Sequence, residues 1–401
     1  MPTPQHPIPG FPWSALLALA MTGFIIILTE TLPAGLLPEI SHGLGISPSL
    51  AGQMVTVYAV GSLLAAIPLT IATQGWRRRN VLLLAIGGFL LFNSITAWSS
   101  SYPLTLVARF FAGVSAGLAW SLIAGYARRM VAPQLQGQAL AVAMVGTPVA
   151  MAMGLPLGTW LGGLLGWRTT FGLMSLLTVA LVVWVLAKVP DFPGQAGSAR
   201  LPLRRVFTTP GVRPVLAVVI TWMLAHNLLY TYIAPFVAPA GLGSQVDLVL
   251  LAFGVSALLG IWLTGKLVDR HLRGAVLGSL ATFAAVAVVF GIRGDSPAIV
   301  YAGVAVWGLT FGGAATLLQT ALADTAGSGA DVALSMNVVA WNSAIAAGGL
   351  FGGVLLDQWG VPAFPWATLV LALAALGITF AARGHGFPPG QRGAGQAVFA
   401  R

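Results

Sequence analysis

The chain has 401 residues, of which 57% are hydrophobic and only 7% charged, where a soluble protein is roughly 25% charged. So few charges cannot clothe a soluble globule of this size, and the composition reads as an all-α membrane protein that crosses the bilayer many times. The net charge of +10 is not the footprint of a nucleic-acid binder, because the arginines are dispersed among apolar stretches; cysteine is absent, which excludes disulfides, thiolate metal sites and cysteine nucleophiles.

A spanning helix needs about 20 apolar residues. Twelve stretches qualify: 13–37, 50–72, 80–98, 104–126, 137–163, 168–188, 214–236, 247–268, 274–292, 298–322, 332–355 and 363–382. The opening residues, MPTPQHPIPGFP, carry no basic n-region and no small-residue cleavage site follows, so the first stretch is read as a retained helix. It holds Glu30, and no other Asp or Glu lies well inside a long apolar segment. An ionised carboxylate in hydrocarbon costs roughly 2.5 to 3.5 kcal/mol on insertion scales. Glu30 must therefore face a wet cavity, meet a cation or take up a proton, and each of these points to a proton or solute pathway. A plain structural ion pair between two helices fits the same residue.

Most connections are short. Residues 189–213 are polar, basic and rich in Pro and Gly, and read as a linker between an N-terminal half, 1–188, and a C-terminal half, 214–401. With the N-terminus in the cytoplasm, the inner connections and tail hold Arg77, Arg78, Arg79, Arg128, Arg129, Lys188, Arg200, Arg204, Arg205, Arg213, Lys266, Arg270, Arg273, Arg383, Arg392 and Arg401. The outer side holds Arg168 and Arg293. That asymmetry places both termini inside.

A weak internal repeat relates the halves. PLTIATQGWRR from Pro68 follows the second stretch, GKLVDRHLRG from Gly265 follows the eighth, and Thr31-Leu32-Pro33 lines up with Ile233-Ala234-Pro235. In the fourth stretch Leu106-Val-Ala-Arg109-Phe-Phe-Ala-Gly113 buries an arginine, and the fifth carries Gly154, Pro156, Gly158 and Gly162. Taken together, the chain resembles the major facilitator superfamily, and within it the twelve-helix drug:proton antiporter group. That family's loop after the second helix reads Gly, three residues, Asp, Arg, any, Gly, any, basic, basic. Gly75, Arg77 and Arg78 match, whereas Pro68, Ala72 and Thr73 replace the Gly, Asp and Arg. The copy after the eighth stretch keeps Gly265, Asp269 and Arg270. The first gating loop has thus lost its acid, and the second is expected to carry more of the latch. The phrases LLPEISHGLGIS, GLPLGTWLGGLLGWRTTF, YTYIAPF and NVVAWNSAIAAGGLFGG look like the bacterial branch of arabinose-type sugar and purine-ribonucleoside efflux pumps. The resemblance implies the two-half major facilitator fold, a bacterial inner-membrane location, a proton as coupling ion, no cofactor and a monomer in membrane lipid.

Glu30 and Arg109 lie at equal depth. Each sits roughly 9–12 Å below the outer surface at 1.5 Å per residue, so they can pair if their helices are neighbours, as they are in this family. Arginine stays protonated, which leaves Glu30 as the group that changes charge. His226, in the seventh stretch beside Asn227 and ahead of Tyr230, can titrate near neutrality or simply donate a hydrogen bond. Asn337 and Trp341, one turn apart, and Asn342 offer hydrogen bonds to a polar solute such as a sugar or nucleoside. Tyr58, Gln53 and Trp120 are further candidates. Amides in membrane helices equally join helix to helix. Gly154, Gly158 and Gly162, with Gly348, Gly349, Gly352 and Gly353 of the eleventh stretch, form small-residue ridges expected to slide between the halves.

No Gly-x-x-x-x-Gly-Lys-Ser/Thr loop is present, so ATP does not drive the protein directly, and no His-Glu-x-x-His or paired acidic cluster marks a metal or an enzyme centre. The sequence therefore leads to a proton-coupled exporter of a small polar or amphipathic solute, with import on the same fold, or a membrane sensor, as alternatives.

Overall fold

A computed structural model of the chain describes residues 11–73, 75–132, 135–194 and 203–390, with the side chains of residues 136, 137, 269, 328 and 331 left aside. Arg200, Arg392 and Arg401 lie outside the described residues, as does the Asp269 side chain. Among the described residues, twelve helices are long and apolar enough to cross a membrane. They are α1 (Trp13–Gly35), α2 (Pro48–Ala72), α3 (Arg78–Trp98), α4 (Tyr102–Arg129), α5 (Gln138–Leu165), α6 (Trp167–Lys188), α7 (Val212–Thr231), α8 (Val246–Val268), α9 (Arg270–Arg293), α10 (Pro297–Ala326), α11 (Val332–Trp359) and α12 (Ala363–Ala381). An even number of crossings returns both ends of the chain to one side, called here the terminal side; the other is the far side.

Three departures from the expected segments have local causes. The seventh stretch does not run unbroken from 214 to 236. It stops at Thr231, bends at Tyr232 (φ −111°, ψ 31°) and resumes as a short helix, Ile233–Val237. Pro235 has no N–H to offer the carbonyl four residues back, so the ladder cannot continue through Thr231. The connection expected between α8 and α9 shrinks to a sharp turn at His271 (φ −136°, ψ 35°), where the backbone leaves helical geometry and two separate helices meet. α5 contains a π-helical turn at Ala150–Gly154, between Pro148 and Pro156. There the extra residue absorbs the disruption that proline brings to the ladder.

Helices in lipid gain nothing hydrophobic by meeting one another, so close packing must hold them. Each half solves this in the same way. In the N-terminal half Gly113 and Gly117 of α4 rest directly on the α2 backbone at Tyr58 and Ser62, and Gly61 of α2 rests on Phe110. In the C-terminal half Gly308 and Gly312 of α10 rest on the α8 backbone at Phe253 and Ala257, and Gly260 of α8 rests on Leu309. The second and fourth helices of each half are thus locked by reciprocal glycine contacts, which is the internal repeat expressed in packing. Between the halves, α2 packs on α11 and α5 on α8, with α1 and α7 between them.

A Cβ at Gly113 collides with the Tyr58 carbonyl, whereas one at Gly172 meets open space. Gly113→Ala is expected to cost about 1–3 kcal/mol, the usual range for overpacking. Gly172→Ala is expected to leave stability unchanged or slightly raised. Thermal unfolding of the purified variants checks both.

Candidate functional site

The site begins with a missing donor. Pro33 lies inside α1 and has no N–H, so the carbonyl of Thr29 loses its helical partner. Arg109 of α4, fully buried, fills that place: its Nη2 donates to Thr29 O at 2.7 Å and its Nε to Met54 O of α2 at 3.4 Å. The guanidinium lies 4.8 Å from the Tyr58 ring centre and 5.7 Å from that of Phe171, as a cation over aromatic faces. Tyr58 is held in turn by its hydroxyl, which donates to Ile26 O at 3.1 Å. Asn93 of α3 donates to the Thr29 hydroxyl at 3.0 Å. One arginine therefore joins α4 to α1 and α2, and Nη1 remains buried without a partner.

Glu30 follows Thr29 but does not form the expected direct pair with Arg109, whose hydrogen bonds go to backbone carbonyls instead. It is partly exposed although it sits in the middle of the bundle. Its charge still reaches Arg109 and Tyr58 in its own half and Tyr230 in the other.

The C-terminal half answers with aromatic rings rather than charge. His226 stacks on Phe311, ring centres 3.5 Å apart and 4° from parallel, and lies within 4.8 to 5.6 Å of Tyr230, Trp307 and Phe253. It is fully buried in this cage and its Nδ1 has no partner. Phe311 and Trp341, 6.4 Å apart, are partly exposed, as is Trp120 of α4, which rests on Gly23 of α1.

Several residues expected to meet a solute turn inward instead. Tyr58 is the seat of Arg109 and has no exposed surface. Asn227 and Asn342 spend their amide donors on their own helices, at Met223 O (3.0 Å) and Val338 O (2.9 Å). The Tyr230 hydroxyl meets the Met151 sulfur of α5 at 3.8 Å. Asn337 is buried with its Oδ1 unpartnered.

The two halves are fastened on the far side. Tyr232, at the break in α7, donates to Gly349 O (2.7 Å) of α11 or to Ser49 O (3.3 Å) of α2, and Gln53 of α2 reaches both Tyr232 (3.5 Å) and Gly349 O (3.2 Å). The Tyr232 ring fits only because Gly52, Gly352 and Gly353 have no side chains. Beneath it Val55, Ala59, Met223, Ala344 and Ile345 close an apolar plug. Gly349 and Gly353 do lie between the halves, against Thr56 and Ser49. The α5 ridge does not: Gly154 and Gly158 pack on Phe24 and Leu32 of α1 and Gly162 on Leu36 just past its end, inside one half. Gly254 of α8, resting on Ala152, makes the α5–α8 contact in its place.

At the terminal side, the acid that the first loop lacks comes from elsewhere. Asp191, just beyond α6, pairs with Arg77 and accepts the Arg79 amide at 3.2 Å, while the Arg78 amide donates to Phe192 O at 2.9 Å. Desolvation opposes ionisation, but these hydrogen bonds and the charges of Arg77 and Arg79 together outweigh it and hold the Asp191 carboxyl below its ordinary value. Tyr126 and Arg129 of α4 bond the next carbonyls, Pro190 (2.6 Å) and Pro193 (3.0 Å). The loop of Gly75, Arg77 and Arg78 is thereby tied to its own half. Gly265 and Arg270 of the second loop are exposed.

Two of the sequence phrases also meet in space. Pro38, Glu39, His42 and Gly43 line one wall of a far-side cleft of about 490 Å³, and Gly162, Gly166, Trp167 and Arg168 line the other. Burial pushes the Glu39 carboxyl above its ordinary value, against an opposing hydrogen bond from its own backbone amide.

The Major Facilitator Superfamily model matches residues 19–349. The purine ribonucleoside efflux pump NepI of Escherichia coli (strain K12) is 32% identical over 373 residues, which cover 91% of this chain and 93% of that protein. The NepI of Shigella sonnei (strain Ss046) is likewise 32% identical, over 374 residues. Among solved structures, a bacterial homologue of the human lysosomal transporter Spinster aligns with a TM-score of 0.66 at 13% identity, covering 94% of this chain and 96% of that one. The human organic anion transporter MFSD10 (TETRAN) aligns with the same TM-score at 18% identity, over 94% of this chain and all of that one.

Because the chain has no cysteine, a single introduced thiol reports on the far-side closure. Val55→Cys, in the plug, is expected to resist a polar maleimide added from the far side. Adding Tyr232→Phe, which removes the hydroxyl bridging Ser49 and Gly349, is expected to raise the labelling rate several-fold with little change in melting temperature. Equal labelling in both backgrounds means that the tether does not hold this side shut.

Proposed function

The chain belongs to the Major Facilitator Superfamily, and we propose that within it the protein is a proton-coupled exporter of a small polar or amphipathic solute of the nucleoside kind. The observation that carries the coupling is Glu30, a partly exposed carboxyl within a membrane-spanning helix, next in the chain to the Thr29 carbonyl that Arg109 holds. Arg109 cannot give up its proton. Its hydrogen bonds to α1 and α2 brace the helix that bears Glu30 and are independent of the Glu30 charge.

Export and the nucleoside class rest on the efflux pumps that share 32% of their residues with this chain across nearly its whole length. The lining agrees in chemistry. Phe311 and Trp341, 6.4 Å apart, and Trp120 are partly exposed aromatic side chains, a chemistry suited to a flat ring, and the Asn337 Oδ1 is an acceptor without a donor. The far side is the outside of a bacterial inner membrane, since Arg77 to Arg79, Arg128, Arg129, Lys266, Arg270 and Arg273 all lie on the terminal side. With the far side fastened, solute enters from the cytoplasm. Opening outward requires the Tyr232 tether and its plug to part, after which a proton reaches Glu30. The neutral carboxyl no longer acts on Arg109, Tyr58 and the solute site, and this difference in affinity between two states is what alternating access needs.

Glu30→Gln holds the site in its neutral form. In reconstituted vesicles this variant is expected to exchange labelled solute for unlabelled solute at near the parent rate, yet to lose pH-driven accumulation entirely. Its binding is expected to lose most of its pH dependence. Stability is followed alongside, because the change alters the field around a buried arginine. Full proton-driven accumulation by a well-folded Glu30→Gln protein removes Glu30 as the carrier and leaves His226, a second candidate at membrane depth, to be tested.

A further inference from the structure

A groove of about 590 Å³ runs along the surface between α9 and α12. Leu277 and Ala281 of α9 and Leu373, Leu376 and Phe380 of α12 form its walls. Its depth comes from Gly278 and Gly377, where an added Cβ meets no atom within 4 Å. Leu373 and Phe380 are exposed, so the groove opens outward to lipid rather than to the space between the halves.

Its terminal-side end is cationic. Arg273 is pinned there, with Nη1 donating to Thr379 O (2.7 Å) and Phe387 O (2.9 Å) and Nη2 to Phe380 O (3.0 Å). These bonds cap the last carbonyls of α12 and fix the guanidinium 5.9 Å over the Phe380 ring. Arg270, on the other side of the kink at His271 from Arg273, and Arg383, just past the end of α12, are both exposed. An apolar slot lying at membrane depth thus leads to a fixed positive charge flanked by two free ones.

We propose that this groove is a binding site for an anionic phospholipid, with one acyl chain lying between α9 and α12 and the phosphate at Arg270 and Arg383. Apolar surface in a bilayer has no hydrophobic reason to choose one lipid over another. Selectivity here comes from filling a void that otherwise leaves its lining without contacts, and from the charge at the headgroup level. The same charges speak against a second copy of the chain as occupant, because a twofold pairing across this face would set its Arg270 and Arg383 against their own counterparts.

The test uses the purified full-length protein in an uncharged detergent, titrated with phosphatidylglycerol or with phosphatidylcholine of the same acyl chains. Bound lipid is counted by native mass spectrometry and melting temperature is followed in parallel. The parent is expected to retain phosphatidylglycerol preferentially and to melt several degrees higher with it. Gly278→Leu combined with Gly377→Leu fills the groove where there is room for side chains, and is expected to abolish both effects. Arg270→Gln combined with Arg383→Gln is expected to weaken phosphatidylglycerol binding about thirtyfold, the change carried by two charges near an anionic surface, and to leave phosphatidylcholine unchanged. Arg293→Gln, at the far end of α9, is expected to change neither. Equal retention of the two lipids by the parent overturns the proposal. So does full retention of phosphatidylglycerol by the groove-filled variant, or a parent dimer that filling the groove dissociates.

Discussion

A permanently charged arginine inside a membrane protein has to be given partners, and the N-terminal half is arranged around that requirement. Arg109 cannot neutralise itself, and its insertion into hydrocarbon is expensive. Pro33 supplies the compensating group by a simple omission: without its N–H, the Thr29 carbonyl of α1 is left free to accept from the guanidinium. Met54 of α2 offers a second carbonyl and Tyr58 a ring face. The close approach of α2 and α4 that makes these contacts reachable depends in turn on Gly113, Gly117 and Gly61. Proline, glycine and arginine at separate points of the sequence are thus parts of one interaction.

The C-terminal half repeats the scaffold but not the chemistry. α8 and α10 are locked by Gly308, Gly312 and Gly260 as α2 and α4 are by theirs. The interior then holds a box of stacked rings around His226 rather than an arginine. Pro235 stands where Pro33 does in the internal alignment, and here its missing N–H breaks the helix outright at Tyr232. That break turns the tyrosine toward α2 and α11, where three glycines make room for its ring. The same omission serves charge stabilisation in one half and fastening of the far side in the other.

Much of this was legible from residues alone. Length and hydropathy located all twelve spans to within a few residues, because lipid forces backbone hydrogen bonds to close within each helix. Counting rise per residue brought Glu30 and Arg109 to the same depth. Depth, however, says nothing of azimuth. Asn227 and Asn342 lie at membrane depth yet donate to their own helix carbonyls, and Tyr58 faces an arginine rather than a solute. The acid that completes the first loop was invisible for another reason. Asp191 stands more than a hundred residues from Arg77, in what reads as linker, and only the tertiary fold brings it there. Pro235 was the signal that could have revealed the break in α7, and the same reading of Pro33 could have identified Thr29 O as a partner for Arg109.

In the proposed coupling, the separation of Glu30 from Arg109 bears on how a proton is felt by the rest of the molecule. Had the two formed a direct pair, protonation would break a bond and leave a buried cation with one partner fewer, at a cost of several kcal/mol. With Arg109 already bonded to backbone carbonyls, Glu30 can change charge without disturbing the bracing of α1, α2 and α4. The signal then travels as an electrostatic field through a medium less polarisable than water, where it weakens slowly with distance. Tyr230 stands two residues before the Tyr232 tether and stacks on His226 in the aromatic box. In that proposed mechanism a carboxyl free of its arginine acts on the aromatic box and the far-side closure together, while the bonds that brace its own half stay in place.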